Sequence, residues 1–157
     1  FTVNIALVRG RKPVLGVVYQ PVGGFLYYAC EGQGAWKSVR GGTPVRLSGG
    51  KHYSTKTAVT VVASRSHLTD EVRTFLSDLE TGGKTVEFLS AGSSLKLCLV
   101  AEGAADVYPR LGPTMEWDTG AAHAVALEAG RRVVEHGTDR PLLYNKENLL
   151  NPHFIVE

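Results

Sequence analysis

A chain of 157 residues, 43% hydrophobic and 20% charged, is long enough for one domain, or for two layers sharing one core. Its formal charge of +2 gives no case for nucleic acid as a partner. A mean hydropathy of −0.04, with no apolar run of membrane-spanning length, gives none for a membrane span or a signal peptide. Cys30 and Cys98 stand far apart in apolar settings without a C-x-x-C. They read as two buried thiols of a reducing compartment, the cytoplasm, and not as a staple or a zinc site.

The chain opens "FTVNIALV", with Thr2 and Asn4 alternating with Val3, Ile5 and Leu7. It begins already inside a strand, which suggests a fragment of something longer. "RGRKP", "VLGVVYQP", "VGG", "FLYYACE" and "GQGAWKS" follow. Val, Tyr and Phe punctuated by Gly and Pro at short intervals are the mark of an antiparallel meander. Residues 40–57 are rich in Gly, Ser and Thr and read as a linker or long loop.

Beyond that the rhythm changes. "AVTVVAS" is a short apolar strand suited to burial on both faces. "LTDEVRTFLSDLE" places Leu68, Val72, Phe75, Leu76 and Leu79 at helical spacing, with Thr69 as N-cap and an acidic first turn. "TVEFLSA" is a strand, and "GSSLKLCLVAEGAA" a helix with Leu95, Leu99 and Val100 inward. "DVYPR" is a short strand, and "WDTGAAHAVALEAG" a helix with Asp118 or Thr119 as N-cap and Gly130 near its end. "RRVVE" and "PLLYN" finish the chain. The alternation predicts an α+β or α/β fold: a partial antiparallel sheet over residues 1–50, then a smaller α/β half over 51–157 with a parallel or mixed sheet.

Several motifs are weaker than they look. "TGGKT" lacks the first Gly of a P-loop, since Asp78 stands there, and it follows a helix; it reads as a helix C-cap and turn. Ser93-Ser94-Leu95-Lys96 fits S-x-x-K, but S-D-N and K-T-G do not follow. Two hydroxyls and an ammonium at a helix start would still suit an anion. The other reading, Ser93 as a plain N-cap and Lys96 as a solvated face, is equally open. Ser64, Arg65, Ser66 and His67 end a strand just before a helix, where open α/β sheets collect ligands, though they could equally be capping and surface groups. His123, in the alanine-rich helix, reads as a packed core histidine; Glu102, Asp106 and Glu116 read as surface or capping residues. Asp118 is the leading single candidate. It is either an N-cap worth about 1 kcal/mol or a magnesium ligand, and a lone carboxylate does not make a magnesium site.

"WDTGAAHAVALEAG" resembles the second signature of the inositol monophosphatase superfamily. "FTVNIALV", "PVLGVVYQP", "YYACEGQGAW", "ASRSH", "GSSLKLCLVAEGAADVYPRLGPTMEWDT" and "LLYNKENLLNP" resemble its CysQ branch, the 3'(2'),5'-bisphosphate nucleotidases, nearly end to end. The resemblance implies a layered sugar-phosphatase-like fold and a Mg²⁺-dependent phosphomonoesterase that takes the 3'-phosphate from adenosine 3',5'-bisphosphate to give AMP. It implies that Asp118 is a catalytic metal ligand touching the phosphate. It also implies that Ser66, His67, Ser93, Ser94, Lys96 and Arg110 contact the nucleotide, and that Trp117 backs the metal loop. Metal ions would act as Lewis acids on the attacking and leaving oxygens.

Two departures qualify this expectation. The first signature of the family, D-P-x-D-G-T, which carries most of the metal ligands, does not occur in the chain, and Arg131 replaces a glycine after "EAG", where it could crowd the turn. Residues 1–157 by themselves are therefore expected to be weakly active or inactive. Two alternatives stand beside the nucleotidase: a non-catalytic module that binds ligand or pairs with its own copy through an exposed sheet, and a phosphatase of inositol or sugar phosphates.

Overall fold

The computed structural model describes residues 1–64 and 69–157. Leu68, Ser66 and His67 lie outside the described residues. The meander expected at the start forms a five-stranded antiparallel sheet: β1 (Val3–Arg9), β2 (Lys12–Gln20), β3 (Phe25–Cys30), β4 (Gly34–Val39) and β5 (Val45–Arg46), in that order. Gly10 and Arg11, both at positive φ (53° and 68°), make the two-residue β1–β2 turn, the geometry whose twist suits a hairpin. Residues 40–57 hold β5 and a 3-10 turn, Tyr53–Thr55.

The second part contributes β6 (Ala58–Ala63), α1 (Asp70–Thr81), β7 (Thr85–Ser90), α2 (Leu95–Ala101), β8 (Tyr108–Arg110), α3 (Glu116–Glu128), β9 (Val133–Glu135) and β10 (Phe154–Val156). Strands β6 and β7 pair in parallel across α1. Thr69 caps α1 by accepting the Val72 N–H, and Gly82 and Gly83 close it. Strands β8, β10 and β9 form an antiparallel sheet, joined to β6 through a parallel bridge between Val61 and Val107. β10 carries no sequence signal: three residues near the chain's end are too few for a period to register. "PLLYN" contributes one bridge, Val134 to Pro141, and no strand.

Helix α3 explains the alanine run. From Thr119 to Ala126 every residue is buried, so this part of the helix is small and largely apolar on all sides. One side lies on a row of small residues, Ala6, Gly16, Ala29 and Ala35, which the antiparallel register aligns across β1–β4. The other side packs on α2 and on a core that includes Leu97, Val100, Val133, Tyr144 and Phe154. A second cluster, Val59, Val61, Val107, Val134 and Ile155, is covered by Phe75, Leu76 and Leu79 of α1.

Several polar groups of this interior are paired. Asp106, 4% exposed, accepts from Lys56 Nζ at 2.6 Å and from the Thr60 N–H at 2.9 Å. Glu102 accepts from Lys37 and from the Tyr27 hydroxyl. These acids are structural, and Asp106 is buried where the sequence suggested surface. His123 is the packed core histidine expected, with Nδ1 2.9 Å from the Tyr144 hydroxyl. Burial pushes its pKa down to about 3. Arg131 does not crowd its turn: Gly130 takes the positive φ of 83°, and the buried guanidinium donates to the carbonyls of Val100 and Lys51, both at 3.1 Å. Cys98 is buried, but Cys30 is exposed. It pairs with Leu15 on the sheet face away from α3, which nothing among the described residues covers.

Candidate anion-binding site

Loop 92–94, the first turns of α2 and α3, the end of β8 and the start of β1 enclose a cavity of about 550 Å³. Ser93, Ser94, Lys96, Arg110 and Asp118 all line it. They come from three stretches of chain and meet only in the folded state. Ser64 is also in the wall.

Lys96 is not on a solvated face. It is 5% exposed, 5.4 Å over the Tyr108 ring, and donates to the carbonyls of Ser93 (3.1 Å) and Ala91 (3.4 Å). Burial, and secondarily the Arg110 guanidinium, bring its pKa down to about 8. Burial likewise pushes Tyr108 up to about 12; Arg110 opposes that shift and Asp118 adds to it. Arg110 donates Nη2 to Pro113 O at 2.6 Å, while its buried Nε has no hydrogen-bond partner among the described residues. Among the described residues no carboxylate is ion-paired with Lys96 or Arg110. Two cations together, one with an unsatisfied buried donor whose desolvation costs about 1–3 kcal/mol, make a place for an anion's oxygens.

Ser93 sits at φ 53°, a left-handed conformation of the kind that strained functional loops adopt. It is not the N-cap. Ser94 is, and it makes no capping bond, because its hydroxyl donates across the cavity wall to Asn4 Oδ1 at 2.7 Å and lies 2.9 Å from Thr2 Oγ1. With seven residues, α2 has little dipole to offer, so the positive charge at this cavity is that of the Lys96 and Arg110 side chains.

Asp118 is not an N-cap either. Met115 takes that place, and Asp118, at the third helical position, reaches back so that Oδ2 accepts the Met115 N–H at 3.0 Å. Trp117 is 62% exposed and borders a groove with Ala6 and Leu149. The Glu116 carboxylate is spent on the N–H groups of Asn145 and Lys146 and on Lys146 Nζ. Among the described residues no three His, Cys, Asp or Glu side chains gather as a metal site would require. Asp118 offers one oxygen ligand, and the residues described do not complete a magnesium site around it.

Thr2, Asn4, Tyr108, Thr114 and Thr119 also line the cavity, and sequence reasoning passed over them. For Asn4 a signal existed: it is polar on the same strand face as Ala6 and Val8, the face that meets α3.

The model of the inositol monophosphatase family matches residues 1–153. The chain is 49% identical over 159 aligned positions to the 3'(2'),5'-bisphosphate nucleotidase CysQ of Salmonella typhimurium, covering 99% of this chain and 59% of that protein. The CysQ of Escherichia coli K12 is 48% identical with the same coverage. The crystal structure of CysQ from Bacteroides thetaiotaomicron superposes with a TM-score of 0.89 at 49% identity, over 99% of this chain and 62% of that one. Inositol monophosphatase II of Staphylococcus aureus, 18% identical over 99% of this chain and 54% of its own, shares the fold with a TM-score of 0.76. The chain thus spans about three fifths of the length of the curated relatives it matches. With the layered α/β fold and nearly the whole of its length matched, the chain belongs to the inositol monophosphatase family.

Proposed function

We propose that the chain is the phosphate-binding part of a magnesium-dependent phosphomonoesterase that removes the 3'-phosphate of adenosine 3',5'-bisphosphate, giving AMP and phosphate. The observation that carries this is the convergence of Lys96, Arg110, Ser93 and Asp118 on one cavity. The names of the relatives at 48–49% identity support the nucleotide as substrate. Lys96 and the Arg110 guanidinium hold phosphate oxygens. Tyr108 stacks beneath the ammonium and keeps water from it. Asp118 presents an oxygen to the metal, which when bound supplies Lewis-acid stabilisation of the reacting oxygens. Because one carboxylate is too few for magnesium, the remaining ligands come from outside residues 1–157. In this reading residues 1–50 and 51–157 are two halves of one unit, with α3 of the second lying on the sheet of the first.

Phosphate release from adenosine 3',5'-bisphosphate, with and without Mg²⁺, is the test. A form extended to the length of the relatives should turn over only with Mg²⁺, and Asp118→Asn should lower its rate by about 100-fold or more. Residues 1–157 alone should release little or none. Robust turnover by the 157-residue chain would overturn the ligand count. No release by the longer form, or faster release from inositol or sugar phosphates, would overturn the nucleotide.

A second reading concerns assembly. Val3, Ile5 and Leu7 of the terminal strand β1 are 49–61% exposed on the outer sheet face, and residues 1–8 carry no side-chain charge. Such an edge invites a strand. A second copy of the chain fits it when antiparallel, because the two Arg9 side chains then stand about 20 Å apart, at opposite ends of the paired strands. Light scattering between 1 and about 100 μM should show a monomer–dimer equilibrium that Ile5→Lys abolishes. A monomer throughout that range would overturn the reading.

A further inference from the structure

We propose that Asn151 is a positioning residue for Asp118, its side-chain amide tying Thr114, ahead of helix α3, to Thr119 within it. The inference rests on the reading of Asp118 as a working carboxylate. Asn151 lies in coil yet is 4% exposed. The segment around it straps the start of α3: the Asn151 N–H donates to Thr114 O at 2.9 Å, the Glu116 N–H donates to Leu149 O at 3.0 Å, and Met115 and Leu150 form an antiparallel bridge.

The amide Nδ2 uses both its hydrogens. It donates to Thr114 Oγ1 at 3.2 Å and to Thr119 Oγ1 at 3.1 Å. Thr119 Oγ1 also accepts from the Tyr144 hydroxyl at 3.0 Å and donates to Glu116 O at 3.2 Å. Since the one Tyr144 proton goes to Thr119, His123 Nδ1 must donate to Tyr144. The donors therefore run one way, from His123 through Tyr144 and Thr119 to the first turn of α3, an arrangement in which each bond strengthens the next. Asp118 sits between the two tied threonines, and both threonines line the cavity.

A purely stabilising network would be satisfied throughout. This one is not: Asn151 Oδ1 is buried without a partner among the described residues, a penalty that offsets much of what its donors contribute. What the amide does without offset is geometric. It fixes the turn on which the Met115 N–H and Asp118 Oδ2 meet.

Amide hydrogen exchange of the 157-residue chain reads that contact directly and does not depend on turnover. In Thr114→Val and Asn151→Leu, protection of the Met115 amide should fall about tenfold or more, the loss of a hydrogen bond to a carboxylate. The core amide of Val62, bonded to Val107 O, should be unchanged. Thr114→Ser should restore the protection, and Asp118→Ala, which removes the acceptor, should reproduce the loss. Unchanged Met115 protection in Thr114→Val, or a fall shared equally by Val62, would overturn the proposal even if Asn151→Leu does not fold. Failure of phosphate release would bear only on the function of Asp118.

Discussion

Gly16→Ala is expected to destabilise the fold by about 3 kcal/mol, the upper range for overpacking a closed interior, and to lower Tm by about 6–12 °C. The added methyl would land on the carbonyl oxygen of Ala121, 2.8 Å from that residue's carbonyl carbon and 2.9 Å from Ala124 Cβ. The obstacle is backbone of a helix that is itself wedged between two layers, so no side chain can swing away. Of a total stability of roughly 5–15 kcal/mol this is a large share. Gly92→Ala is the control: it has ordinary φ and open space, so it should shift stability by less than about 0.5 kcal/mol. Denaturant titration and calorimetry on both variants measure this. A Gly16→Ala protein as stable as the parent would mean that α3 does not approach β2 this closely.

Lys96→Met is expected to leave the fold nearly as stable while weakening anion binding by about 100-fold, the loss of one buried charged partner, about 3 kcal/mol. The methionine keeps the volume and removes a desolvated ammonium, which offsets the two hydrogen bonds lost to Ser93 O and Ala91 O. Inorganic sulfate is the suitable probe by calorimetry, because its charge does not change between pH 6 and 10. The sign of the pH dependence follows from Lys96. Free protein holds that proton up to about pH 8; a bound dianion favours the ammonium and raises its pKa. Affinity should therefore be flat below pH 8 and fall above it, by up to about tenfold per unit, with proton uptake on binding. Lys96→Met should abolish this slope. A slope that survives the substitution would assign it to another group.

Much of the architecture was legible from local pattern. The β1–β4 meander follows from alternation with Gly punctuation, and α1 from the Thr69 cap and the spacing of Val72, Phe75, Leu76 and Leu79. The alanine run is legible as a buried helix, whereas Ser93, Lys96, Arg110 and Asp118 are joined into one set only by the resemblance to the family, since on local pattern Lys96 could as well be solvated and Asp118 a plain cap. Other features were decided only by the fold. Lys96 at the start of a helix reads the same whether solvated or buried; it is buried because Tyr108, twelve positions on, lies under it. Ser94 forgoes its cap because Asn4 and Thr2, some ninety residues earlier, compete for its hydroxyl. Asp118 became the third helical residue and not the cap because the strap at 149–151 pins Met115. Cys30 is exposed because its sheet face has no cover among the described residues. Helix and strand periods are set by neighbours two to four residues away, so a sequence states them directly. Burial at this cavity, and the partners that Ser94 takes there, are set by residues twelve to some ninety positions apart, and only chain packing brings those together.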